Sequence, residues 1–261
     1  MQSDSHYLKK RFSQNFLQDK SVIEKIINII NPEKNDHLIE IGPGKGALTV
    51  PIIKFVKKID VIEIDKQLVK LLKDNIDDKK LTIHEYDALK FDYSKFKNRN
   101  LRLIGNLPYN ISTPLLFYLL SYKNIIKNMF FMLQKEVVER ICARPGTKEY
   151  GRLSVMIQHC CEVESMLEIK PDAFYPSPNV DSAIVKITPL SKTKYKLIND
   201  ENFKTIVREA FSQRRKTIRN ALKMFLNEDD IKAAGIDANV RAEKLEIKDF
   251  VELSNLYQVK N

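Results

Sequence analysis

Two rhythms of apolar positions alternate along the first two thirds of the chain. Val22, Ile23, Ile26, Ile27 and Ile30 recur at helical spacing after Asp19 and predict a helix. Leu38, Ile39 and Ile41 follow as a short apolar run, which predicts a buried strand. The same exchange then repeats. Leu48, Ile52, Ile53 and Val56 predict a helix facing a sheet, and residues 59–64 a second strand. Further helices are expected over 67–76 and 135–143 and from Ser112 onward, with strands over 81–85, 101–104 and 129–133. Regular strand–helix alternation predicts an α/β fold built on a doubly wound, mostly parallel sheet.

After Gly151 the pattern changes. Residues 162–169 and 180–187 read as two strands at an antiparallel edge, joined by a proline-rich loop over the cleft. From about Pro189 only helical spacing remains. Residues 191–198 form a Lys-rich linker; Phe203, Ile206, Val207, Ala210 and Phe211 make one amphipathic face, and Ile218, Leu222 and Phe225 a second. The expected division is a catalytic domain over 1–190 and a small helical domain over 191–261.

Composition narrows the function classes. The longest apolar runs fall well short of the roughly 20 residues a membrane helix needs, and the polar N-terminus carries no signal segment. A cytoplasmic protein is therefore expected. Three cysteines, two of them adjacent at 160 and 161, cannot build a disulfide framework, and four scattered histidines form no metal-ligand spacing. No metal is expected. A net charge of +10 favours a polyanionic partner. Lysine abundance alone does not establish one, but Arg208, Arg214, Arg215, Lys216, Arg219 and Lys223 concentrate arginine in a lysine-rich chain, against Glu209 alone. Arginine can grip a phosphate with two prongs, so this run is the candidate contact to a nucleic-acid backbone.

The candidate chemistry lies at the ends of the predicted strands. Gly42, Gly44 and Gly46 supply three of the seven glycines and form a turn straight after the first strand of the sheet. Glycine there permits positive φ and close approach of a ligand to the backbone. Glu63 ends the next strand, where an acidic side chain suits ribose hydroxyls. A dinucleotide fingerprint wants its third glycine one residue later, so the pattern favours S-adenosylmethionine. Glu40 either orders the glycine turn or is simply a strand-end carboxylate.

Asn106-Leu107-Pro108-Tyr109 follows the strand 101–104. Proline fixes its own φ and keeps Leu107 extended, giving a stiff turn. It aims the Asn106 amide, the Leu107 carbonyl and the Tyr109 ring into one cleft, a set suited to a flat base with an exocyclic amine. Phe174 is the expected second face of an aromatic sandwich around that base; its alternative is a clamp that packs the loop onto the domain.

Residues 14–17 (Gln-Asn-Phe-Leu), 39–49 (Ile-Glu-Ile-Gly-Pro-Gly-Lys-Gly-Ala-Leu-Thr), Glu63, Asp87, Asn106 to Tyr109, and Phe174 with Pro176, Pro178, Val180 and Ser182 occur in one order. As a set they resemble the ribosomal RNA adenine dimethyltransferase family, and within it the bacterial small-subunit members. The likeness spans residue 7 to about 225. It implies a Rossmann-like methyltransferase domain with a helical C-terminal domain. It also implies that Asn15, Leu17, Gly42, Glu63, Asp87 and Asn106 line a methyl-donor pocket, with Gly44 in the same turn. The expected activity is transfer of methyl groups to N6 of two adjacent adenosines in small-subunit ribosomal RNA, with a role in subunit biogenesis. The expected form is a monomer. A DNA adenine methyltransferase shares the amine chemistry, but Leu107, the Gln-Asn-Phe-Leu arm and the lack of a DNA-reading domain count against it. A ribosome assembly factor with secondary methylation is the other alternative.

Overall fold

The computed structural model describes residues 15–76, 79–96 and 100–260. The basic arm read at 7–14, including Gln14, lies outside them. By packing, the chain divides into two units, 1–138 with 164–189 and 139–163 with 190–261.

The first unit holds β1 (Phe16–Leu17), α1 (Lys20–Ile30), β2 (His37–Ile41), α2 (Thr49–Ile52), β3 (Ile59–Glu63), α3 (Lys66–Asn75), β4 (Leu81–Glu85), β5 (Leu101–Asn106), α4 (Ser112–Leu120) and β6 (Ile126–Gln134). After α5 (Lys135–Cys142) and α6 (Arg152–Gln158) come β7 (Cys161–Ile169), β8 (Phe174–Tyr175) and β9 (Ser182–Pro189). The main sheet has the order β4-β3-β2-β5-β6-β9-β7. Its first five strands are parallel, and β9 runs antiparallel to β6.

Four of the five residues of β2 are buried because helices cover both faces of the central strands. α1 starts where the Asp19 side chain accepts from Val22 N, and it buries Ile26, Ile27 and Ile30 before Asn31 ends it in the left-handed region. Sequence order reverses between β2 and β5: β3 and β4 lie to one side, β5 and β6 to the other. Ligands bind at such switch points, at the carboxyl ends of the strands.

The structure departs from the predicted elements in several places. The helix expected through Val56 is a single regular turn, α2, followed by irregular turns. A second, two-stranded sheet pairs Phe16 with Tyr175 and Leu17 with Phe174. Residues 139–163, placed with the catalytic domain by sequence, pack with the second unit. The reason lies in α6, whose Val155 and Ile157 are buried and which packs on α7 (Asp200–Ser212).

The second unit continues through α8 (Ile218–Ala221), α9 (Glu228–Ala233) and α10 (Ile247–Lys260). Phe203, Ile206, Val207 and Ala210 form the buried face of α7, as their spacing predicts. Phe211 stacks on Phe250 of α10 at 5.5 Å between ring centres. The second amphipathic run gives only the short helix α8 before the chain turns. Among the described residues no helix is long and apolar enough to cross a membrane.

Candidate active site

The glycine turn begins where β2 stops. Gly42, Gly44 and Gly46 have φ of 67°, 58° and 85°, all in the region that L side chains avoid. Gly42 N donates to Ile62 O of β3 at 2.9 Å, which fixes the turn over the neighbouring strand. Glu63 holds the turn from that side. Its Oε2 accepts from Gly44 N at 3.3 Å, and its Oε1 accepts from Ile64 N and Asp65 N at 2.9 Å. Burial raises the Glu63 carboxyl above the usual range, and these three N–H donors pull it back.

Glu40 is buried at 2% exposure, and its Oε2 accepts from the Thr49 hydroxyl at 2.6 Å. That bond spans the turn from strand to helix, which matches the turn-ordering role and not a spare strand-end charge. Burial pushes the Glu40 carboxyl up to about 7, with the nearby Glu63 charge adding and Thr49 opposing. Among the described residues neither carboxylate is in an ion pair with a cation.

A cleft of about 1230 Å³ runs over these strand ends. Pockets for a single small ligand run to about 300–1,000 Å³, so this cleft has room for a cofactor and a second group. Asn15, Leu17, Glu40, Gly42, Gly44, Glu63, Asp87 and Asn106 to Tyr109 all line it. Asp87 Oδ1 accepts from Leu89 N at 2.9 Å, which steadies the loop after β4.

Gly105 brings β5 against the end of β2. A Cβ at Gly105 would stand 2.4 Å from Ile41 O, so a side chain there is excluded. Beyond it, Asn106 Nδ2 donates to Asn15 O at 3.0 Å. The amide protons therefore face the arm, and Oδ1 remains as an acceptor. Leu107 N donates to Met132 O at 3.2 Å, and Ser112 Oγ donates to Tyr109 O at 3.0 Å.

Three further side chains belong to the site. Phe16 lies over Gly44, whose added Cβ would be 3.2 Å from the ring, with Lys45 Nζ 4.7 Å from the ring centre. Thr49 anchors Glu40, and Ser182 bonds Tyr109. Thr49 and Ser182 both lie inside recognised motifs, but a hydroxyl contact between separate elements leaves no periodic signal.

Phe174 is 4% exposed, packs in the core cluster with Leu17, Ile26 and Ala173, and does not line the cleft. Its pairing with Leu17 turns it inward, as the clamp alternative requires. Phe174→Ala should thus lower stability by about 3 kcal/mol, the usual cost of emptying a buried aromatic site. Urea unfolding of the variant measures this; an unchanged midpoint would return Phe174 to the substrate side.

All six residues of the candidate RNA contact are exposed. Arg208 Nε donates to Glu209, Arg214 Nη2 donates to Lys148 O at 2.7 Å, and Arg219 pairs with Glu228 at 3.1 Å. The last pair corrects the reading that Glu209 alone offsets the run. Among the described residues no group of His, Cys, Asp and Glu is arranged to hold a metal ion.

A family model described as Ribosomal RNA adenine dimethylase matches residues 5–259. The chain belongs to this family. Ribosomal RNA small subunit methyltransferase A of Hydrogenovibrio crunogenus is 53% identical, over 97% of both chains. Among solved structures, a dimethyladenosine transferase from Plasmodium falciparum superposes with a TM-score of 0.77 at 28% identity, covering 91% of this chain and 95% of that one. The 23S rRNA methyltransferase ErmE has a TM-score of 0.72 at 22% identity, covering 94% of this chain and all of that one. The second likeness speaks to fold alone. The dimethylase family thus accounts for the Rossmann-like parallel sheet and the helical C-terminal region. Its match reaches 34 residues beyond the motifs recognisable by eye, which end near 225.

Proposed function

We propose that this ribosomal RNA adenine dimethylase binds S-adenosylmethionine in the cleft and methylates N6 of two adjacent adenosines in small-subunit ribosomal RNA. The observation that carries the reading is the Asn106 amide, held by Asn15 O with its carbonyl oxygen left as an acceptor beside Tyr109. The buried Glu40 and Glu63 line the cleft, and the glycine turn lets the methionine end of the cofactor lie against backbone. Glu63 would take the ribose diol, Asp87 the cofactor's adenine amine, and Asn15 with Leu17 would close the pocket. When bound, the cofactor supplies an electrophilic methyl group.

The chain's own residues do the rest by placement. The adenine amine is a weak nucleophile because its lone pair is delocalised into the ring. Asn106 Oδ1 and the Leu107 carbonyl accept its hydrogens and hold the lone pair in line for attack; such positioning is worth several kcal/mol of barrier. The Tyr109 ring stacks on the extruded base, returning about 1–3 kcal/mol against the cost of unstacking. That balance favours an unpaired loop nucleotide. A monomethylated amine needs only one of the two acceptors, so a second transfer can follow at the same site. Arg208, Arg214, Arg215, Lys216, Arg219 and Lys223 would contact RNA phosphates, and the setting is the cytoplasm, where the small subunit is built.

Purified protein with labelled cofactor should methylate immature small subunits, and mass spectrometry of nuclease-digested RNA should show N6,N6-dimethyladenosine. Incorporation into DNA but not subunits would favour the DNA enzyme. Binding to subunits with no incorporation would leave an assembly factor. A product that stops at monomethyladenosine with cofactor in excess would show a pocket too tight for the second step.

A further inference from the structure

Tyr109 is tethered at both ends. Its carbonyl accepts from Ser112, and its phenolic oxygen lies 2.9 Å from Ser182 Oγ. Ser182 is 73 residues away in sequence, opens β9, and stands opposite Gln134 in the β6–β9 register. It is 0% exposed, and the residues that follow it, Ala183, Ile184 and Val185, are buried and apolar. A strand position of this kind is met equally well by alanine or valine. A hydroxyl there requires a partner, since an unpaired buried one costs stability. Among the described residues that partner is the Tyr109 phenol.

A stacking platform works best when its ring is already in place, because the rotor freedom lost on binding then falls to near zero. The Tyr109 ring can turn about two side-chain torsions unless its far end is held. Ser182 holds that end from a strand flanked on both sides, by β6 and β7, and β9 is paired to β6 over six residue pairs. The tether thus fixes ring orientation relative to Asn106, which ends the strand on the other side of β6.

We propose that Ser182 is a positioning residue for methyl transfer, whose hydroxyl sets the plane of the Tyr109 ring and through it the target adenine. The inference rests on the reading of Tyr109 as the base-stacking platform. Ser182 acts on the RNA base and leaves cofactor binding alone.

The test is methyl transfer to unmodified small subunits at saturating S-adenosylmethionine, with cofactor affinity measured separately by calorimetry in the absence of RNA. Ser182→Ala and Tyr109→Phe each cut the same hydrogen bond. Each should lower kcat by about threefold to tenfold, the worth of one net hydrogen bond, with cofactor affinity unchanged. The double variant should be no slower than either single one, because both remove one interaction. Three results overturn the proposal: full rate in Ser182→Ala, losses that multiply in the double variant, or a loss carried by cofactor affinity or by a fallen melting temperature. Tyr109→Ala separates this from the reading beneath it. Removal of a platform should slow transfer about tenfold or more. If Tyr109→Ala keeps its rate, the platform reading fails and the positioning role with it. If Tyr109→Ala is slow while Ser182→Ala and Tyr109→Phe are at full rate, the platform stands and Ser182 has no part in it.

Discussion

Asn106→Ala is expected to slow methyl transfer by about a hundredfold to a thousandfold, the range seen when one preorganised polar group is taken from a reacting centre. The acceptor at Oδ1 is lost outright, and the Leu107 carbonyl cannot replace it from the same direction. Cofactor affinity should change little, because Glu63, the glycine turn and Asp87 line the cleft independently of the amide. Truncation also frees Asn15 O from its 3.0 Å bond. The discriminating measurement is single-turnover rate beside a binding isotherm for S-adenosylmethionine. A near-normal rate would remove Asn106 from the mechanism. A loss that tracks cofactor affinity would make it a binding residue only.

Gly105→Ala should have the largest structural effect of any single methyl group in the site. The new Cβ would lie 2.4 Å from the Ile41 carbonyl oxygen and 3.2 Å from a Leu107 methyl. The first is a backbone atom of the central strand β2, so the strain cannot be relieved by turning a side chain. β5 must move away from β2; β5 ends in Asn106, and β2 leads directly into Gly42. Overpacking of a tight core costs about 1–3 kcal/mol, and the upper end is expected where the obstacle is backbone. Cofactor binding and turnover should fall together. Gly151→Ala is the control: its Cβ would meet only Glu149 O at 3.9 Å, and φ there is not in the left-handed region, so stability should hold. Urea unfolding of both variants decides it, and equal stability would mean that the sheet is looser at the switch point than the packing indicates.

Much of this site is legible in sequence for one physical reason. Continuous apolar runs mark strands covered on both faces, and polar or glycine residues directly after them must lie at strand ends. That logic found Gly42, Glu63 and Asn106 without a partner in view. It fails where an element is too short to have a period. Phe16–Leu17 and Phe174–Tyr175 are two-residue strands, so their pairing left no trace, and Phe174 was read as a substrate contact because a loop aromatic has no visible inside. Arg-Leu-Ser-Val-Met-Ile-Gln at 152–158 is seven residues long, a length at which strand and helix patterns overlap. The packing units differ from the expected division at 139–163 for the same reason, since a helix this short gives no local sign of the helical partners it packs on. Contacts between distant side chains, such as Arg219 with Glu228 or Thr49 with Glu40, are set by tertiary geometry and lie beyond any local reading.

The division of the chain also orders events at its own birth. The polypeptide passes between the two units after Val138, after Val163 and after Pro189. As it leaves the ribosome, β6 is delivered before the detour through 139–163, and β9 emerges after it. The first unit can therefore complete its sheet once residue 189 is free. The detour cannot settle at that moment. α6 packs on α7, and α7 packs on α10, which is made last. Val155 and Ile157 thus wait as an apolar stretch while about 100 further residues are translated. A nascent chain stalled once residue 190 has emerged from the ribosome should hold a finished sheet and an unfinished helix pair, and chaperone binding in that interval should map to 139–163.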